Sequence, residues 1–166
     1  MKNLFKKLFG IHQGELGLTA IMFCYNFLLI ASYYILKPMT RSLFLKNQGP
    51  TQLPYVYMLV ALVVGVVAVL YARLASNISL KRMINRTTIF IIGNLLAFWW
   101  LLKIDVRSEW LYYGLYIWTS IYGVLITSQF WLLANYLFDP RQAKRLFPLL
   151  TAGAILGGIL GGYFTR

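Results

Sequence analysis

Acidic residues are nearly missing from this chain: four Asp and Glu stand against sixteen Lys and Arg in 166 residues. There is one histidine, His12, and one cysteine, Cys24. Each shortage excludes a chemistry. Glu15, Asp105, Glu109 and Asp139 are the only acids and fall in or beside breaks between apolar runs. They offer no paired carboxylates for acid/base work and no oxygen cage for a hard cation. A lone histidine near the N-terminus supports no nucleophile–histidine arrangement. A lone cysteine permits neither an intrachain disulfide nor a thiolate metal cluster, and inside an apolar run it reads as a small buried side chain. No glycine-rich phosphate loop opens a helix after a strand. The expectation is a protein that is not an enzyme, with no catalytic residues, no metal and no cofactor.

Charge as a whole is also scarce. Charged residues make up 12% of the chain, about half of what a soluble domain carries. What fills the space is apolar: 60% of residues are hydrophobic and the mean hydropathy is +0.66. A net charge of +12 on a soluble module would suggest nucleic acid. Here the basic residues punctuate long apolar runs, as the cytoplasmic loops of a membrane protein require, so nucleic acid is not an expected partner and the lipid bilayer is.

The apolar runs divide the chain. Residues 1–15 read as a cytoplasmic amphipathic segment, with Leu4, Phe5, Leu8 and Phe9 on one helical face and Lys2, Lys6 and Lys7 on another. Residues 16–166 read as a transmembrane helix bundle with spans at about 16–45, 55–74, 87–102, 110–138 and 146–164, each near or above the roughly 20 residues a bilayer needs. The fold class is all-α, a polytopic membrane bundle of about five helices. Pro38 is placed to kink the first span, not to end it. Gly49, Pro50 and Pro54 break the chain before the second span. Residues 73–86 and 139–145 read as basic connections.

Three groups of residues carry candidate roles. Lys37 and Arg41, four apart on one helical face, read either as interfacial anchors or as a paired cationic site for an anionic substrate. Gly153, Gly157 and Gly161 recur every fourth residue, and Gly158 and Gly162 repeat the interval one position on. That spacing lays a groove along a helix where a neighbouring backbone can approach, and its partner helix is expected elsewhere, on a missing part or another polypeptide. Polar residues inside the spans, Asn26, Ser32, Asn94, Thr119, Ser120, Thr127, Ser128, Gln129 and Asn135, are expected to bond across to neighbouring helices or to line a wet cavity. The fourth span's set, with Tyr116, Trp118, Tyr122 and Trp131, is the better cavity candidate because aromatic faces can stack on a planar ligand.

Orientation follows from the basic residues. With the N-terminus inside, Lys2, Lys6, Lys7, Arg73, Lys81, Arg82, Arg86, Arg141, Lys144 and Arg145 lie inside, against Lys37, Arg41, Lys46, Lys103, Arg107 and Arg166 outside. That ten-to-six bias favours a cytoplasmic N-terminus. An odd number of spans leaves a glycine-grooved last helix without a partner, and the sequence reads as incomplete.

Two segments also resemble a known family. Ser32 to Leu45, and Gln129-Phe130-Trp131-Leu132-Leu133-Ala134-Asn135 followed by Gln142-Ala143-Lys144-Arg145-Leu146-Phe147-Pro148-Leu149, resemble the ATP/ADP translocase family of nucleotide transporters, which is similar in fold to the major facilitator superfamily. The resemblance implies the first five helices of an expected twelve, a partial facilitator-type N-terminal bundle in a bacterial inner membrane. It implies exchange or uptake of an anionic substrate such as ATP or ADP by alternating access, with Lys37 and Arg41 engaging phosphate. Tyr34, Gln129 and Asn135 are the further substrate candidates. Lys81 and Arg82 sit where that superfamily carries a cytoplasmic signature. With Arg141, Lys144 and Arg145 they are candidates for a cytoplasmic gate or topology anchors. The alternative is a non-transporting membrane anchor or subunit that docks a partner through its glycine-rich last helix.

Overall fold

A computed structural model describes residues 15–104 and 109–165. They form α1 (Glu15–Gln48), a 3-10 turn (Pro50–Gln52), α2 (Leu53–Asn77), α3 (Leu80–Lys103), α4 (Glu109–Leu137) and α5 (Pro140–Tyr163). No strand occurs among the described residues. The amphipathic segment expected before residue 15, His12, and Asp105 with Arg107 lie outside them. All five helices are long and apolar enough to cross a membrane.

Local chemistry explains the ends. α1 runs on through Pro38 for 34 residues; a proline costs one backbone bond, which a 34-residue helix with many others survives bent. It stops before Gly49, whose φ of 78° lies in the left-handed region that glycine enters without strain. Pro50 then opens the 3-10 turn and Pro54 falls in the first turn of α2, where a missing N–H costs nothing.

Two basic connections turn out to be helical. α3 begins at Leu80, so Lys81, Arg82 and Arg86 stand in its first two turns. Asp139 caps α5 through a capping box with Gln142, and Pro140 opens the helix, so Arg141, Lys144 and Arg145 also belong to a helix instead of a turn. The reason is general. Apolar run length reports where hydrocarbon ends, whereas backbone hydrogen bonding continues into the interface until a cap or breaker stops it.

The chain divides into two compact units, one within Met1–Leu36 and Thr127–Arg166, the other Lys37–Ile126. The first packs the early part of α1 and the end of α4 against α5. Its core is Met22, Phe130, Ala134, Phe138, Leu146 and Leu150, flanked by Phe23, Tyr25, Leu29, Trp131, Leu133 and Phe147. In the second, Phe44 lies edge-on to Tyr113 and tilted against Tyr116, at 5.0 and 5.2 Å between centroids. Tyr113 also donates to Gln52 at 3.3 Å. Trp118 packs on Phe90 and Phe98.

Exposure separates the helices. Half of α4's most apolar window is buried, against 6% for α2 and for α3. Met58, Leu62, Ile89 and Leu96 point outward at 60% exposure or more, a surface that water would penalise and lipid accepts.

Candidate functional site

A close helix contact is made by three glycines. A Cβ at Gly153 would come within 2.8 Å of the Phe23 carbonyl oxygen, one at Gly157 would collide with the Phe27 carbonyl oxygen, and one at Gly161 would reach the Ala31 carbonyl oxygen at 2.6 Å. The obstacles are backbone atoms, so no side-chain rearrangement could relieve them. α1 therefore lies in the groove of α5, and the partner that the spacing requires is the chain's own first helix. Gly158 and Gly162 take no part in the close approach. A Cβ at Gly158 would make ordinary contact with Tyr34 and Ile30, at 3.7 and 3.8 Å, and one at Gly162 would meet nothing within 4 Å.

Two polar links tie the same helix pair. Asn26 Nδ2 donates to the Leu150 carbonyl at 2.9 Å, buried. At the first described turn of α1, Glu15 accepts from Arg145 Nη2 through both carboxylate oxygens, at 3.0 and 2.7 Å, and from Gln142 Nε2 at 2.9 Å. Gln142 uses its own amide oxygen to accept from the Asp139 backbone N–H at 3.1 Å. One amide thus completes a helix cap and holds a carboxylate at once. Neither end of this cluster was legible as a pair. The available signal was that an acid-poor sequence places Glu15 at the head of one span and Arg145 at the head of another.

Five of the other polar residues within the spans bond to their own helices, and Asn135 among them also lines a cavity. Ser32, Asn94, Thr119, Ser120 and Asn135 donate to carbonyls three or four residues back on their own helices, at 2.8 to 3.0 Å. A short polar side chain always has such a carbonyl within reach, whereas a second helix must bring one. Three of the four α4 aromatics singled out above are engaged with rings. Trp131 lies 5.3 Å from Phe130 and 5.1 Å from Phe147, Tyr116 lies 6.1 Å from Tyr57, and Trp118 is buried against two phenylalanines.

The five substrate candidates divide between the two units. Lys37 and Arg41 are both exposed on α1 within the second unit. Tyr34, Gln129 and Asn135 belong to the first unit. Tyr34 lies edge-on to Tyr33 and beside Gly158 and Gly161, Gln129 is buried, and Asn135 is exposed. Lys81 and Arg82 are exposed at the start of α3. Asn135 and Lys144, assigned separate roles in sequence, meet in one cavity of about 640 Å³ with Phe138, Pro140, Ala143, Phe147, Pro148 and Thr151.

Long apolar helices whose polar groups bond within the protein define an integral membrane protein of the α-helical class. Over 76 residues the chain is 38% identical to ADP,ATP carrier protein 3 of Rickettsia felis, a stretch amounting to 43% of this chain and 15% of that carrier. Over 74 residues it is 38% identical to the protein of the same name from Rickettsia prowazekii, with the same shares. Over 66 residues it is 39% identical to that of Rickettsia bellii. The chain spans only a small part of the length of these carriers. No family model matches it, and no solved structure gives a significant match.

Proposed function

We propose that this chain is part of a nucleotide carrier of the ATP/ADP translocase family and that it contributes helices to a facilitator-type bundle moving an anionic metabolite, ATP or ADP, by alternating access. The observation that carries the reading is the 38% identity over 76 residues to a protein named for carrying ADP and ATP. The arrangement of the chain supports it. Sixteen cations face four acids, which suits an anionic cargo, and the glycine groove that a docking module would offer to a foreign helix is filled by α1.

Within that reading Lys37 and Arg41 receive phosphate. We assign them to the mouth of the pathway, where they capture and orient the polyphosphate before the bundles rock around it. Tyr34 and Gln129 are secondary contacts. Arg141, Lys81 and Arg82 serve topology at the cytoplasmic face of a bacterial inner membrane.

The test is uptake of labelled ATP by the full-length carrier in proteoliposomes, with Lys37 and Arg41 both replaced by glutamine. Loss of two charge-assisted contacts should lower uptake at limiting substrate about tenfold or more. Unchanged uptake, with the protein correctly inserted, removes Lys37 and Arg41 from the site.

A further inference from the structure

The cavity beside the start of α5 presents Lys144, Pro148 and Thr151, which neither the core of the unit nor the substrate reading uses. Its α5 wall is a single helical stripe, Pro140, Ala143, Lys144, Phe147, Pro148 and Thr151, and opposite it are Asn135 of α4 and Phe138 just beyond that helix. Polar groups and apolar ones therefore share one groove: an ammonium, an amide and a hydroxyl beside two phenyl rings and two prolines. No lining residue is acidic. Asp139, between Phe138 and Pro140 in sequence, caps α5, and Glu15 is engaged by Arg145 and Gln142. Among the described residues Lys144 has no ion pair, and it is exposed.

A groove of this kind on a membrane span could be covered by another helix or by lipid. An apolar helix laid over it would strip water from Lys144 without supplying a counter-charge, which is costly. A phospholipid brings a phosphate for the ammonium and a hydrocarbon tail for the phenyl rings in one molecule. The polar and apolar parts are also in the right order. Lys144 lies in the second turn of α5, near the end where the cations collect, while Phe147, Pro148 and Thr151 continue into the span.

We infer that the groove formed by Asn135, Lys144, Phe147 and Thr151 seats an anionic phospholipid, its phosphate on Lys144 with the Asn135 amide beside it and its acyl chain along Phe147 and Pro148. The site is separate from Lys37 and Arg41 and takes a lipid, not the transported solute. Occupancy would brace the junction of α4 and α5, next to the Glu15–Arg145 link.

Native mass spectrometry of the full-length protein in detergent reads this directly. It is titrated with phosphatidylglycerol and with phosphatidylcholine of matched chains. Phosphatidylglycerol should bind a first site more tightly, and Lys144→Gln should weaken that step about fivefold, the worth of one cation near a lipid phosphate. Lys144→Arg should retain it, and Lys81→Gln, on another helix, should leave it unchanged. Equal affinity for the two lipids overturns the proposal, as does equal loss in Lys144→Gln and Lys144→Arg. Displacement of the bound lipid by added ATP would assign the groove to nucleotide phosphate and overturn it too.

Discussion

Arg145 is one of three cations in the first two turns of α5, and sequence treats Arg141, Lys144 and Arg145 as equivalent positive-inside residues. Structure separates them. Arg145 makes a two-point contact with Glu15 inside one unit, Lys144 lines a groove, and Arg141 is exposed. Glu15 and Arg145 sit in one compact unit, and their contact joins the start of α1 to the start of α5. The link is partly shielded, with side chains 28% and 17% exposed, so its contribution is modest. A double-mutant cycle of Glu15→Gln and Arg145→Gln should return a coupling of about 1 kcal/mol in detergent melting. Zero coupling would reduce both residues to independent surface charges.

At the scale of elements, the α1–α5 contact decides the architecture of its unit, and it offers a comparison with opposite expectations at neighbouring glycines. Gly157→Ala forces a methyl into the Phe27 backbone carbonyl, which neither helix can relieve without moving apart; a loss of about 1 to 3 kcal/mol is expected. Gly162→Ala places the same methyl in open space, and its melting temperature should match or slightly exceed the parent's. Equal effects at the two positions would mean that α1 does not lie in the groove. Asn26→Ala removes the buried bond to Leu150 and should cost about 1 kcal/mol, the usual worth of an interhelical bond in a membrane.

The same pair shows what sequence can and cannot reveal. A four-residue glycine interval reports a surface where backbones can touch, because the missing side chains are visible in the sequence itself. It carries no information about which helix comes, and the partner was sought outside the chain. The intervals of Gly158 and Gly162 look identical in sequence, but a helix has one closest line, and a residue one position on is rotated about 100° from it. Helix existence was legible from apolar runs; the starts of α3 and α5 were not, because their first turns are polar. The Asp139–Gln142 capping box was the readable signal for α5.

Across the whole molecule, orientation is the property on which the remaining functional argument depends. Under an inside N-terminus ten cations lie inside and six outside. The Glu15–Arg145 link supplies a separate constraint: the start of α1 and the start of α5 must be at the same membrane face, which requires an even number of crossings before α5 begins, as four spanning helices provide. Both arguments allow one test. Cys24→Ser removes the only native thiol, after which Thr51→Cys reports the exposed turn between α1 and α2, and Ser79→Cys the exposed turn between α2 and α3. In intact cells a membrane-impermeant maleimide should label Thr51→Cys and spare Ser79→Cys until lysis. The reverse pattern would place the N-terminus outside and exchange the two sets of cations between the membrane faces. Labelling at both positions would mean that α2, for all its apolar length, does not cross.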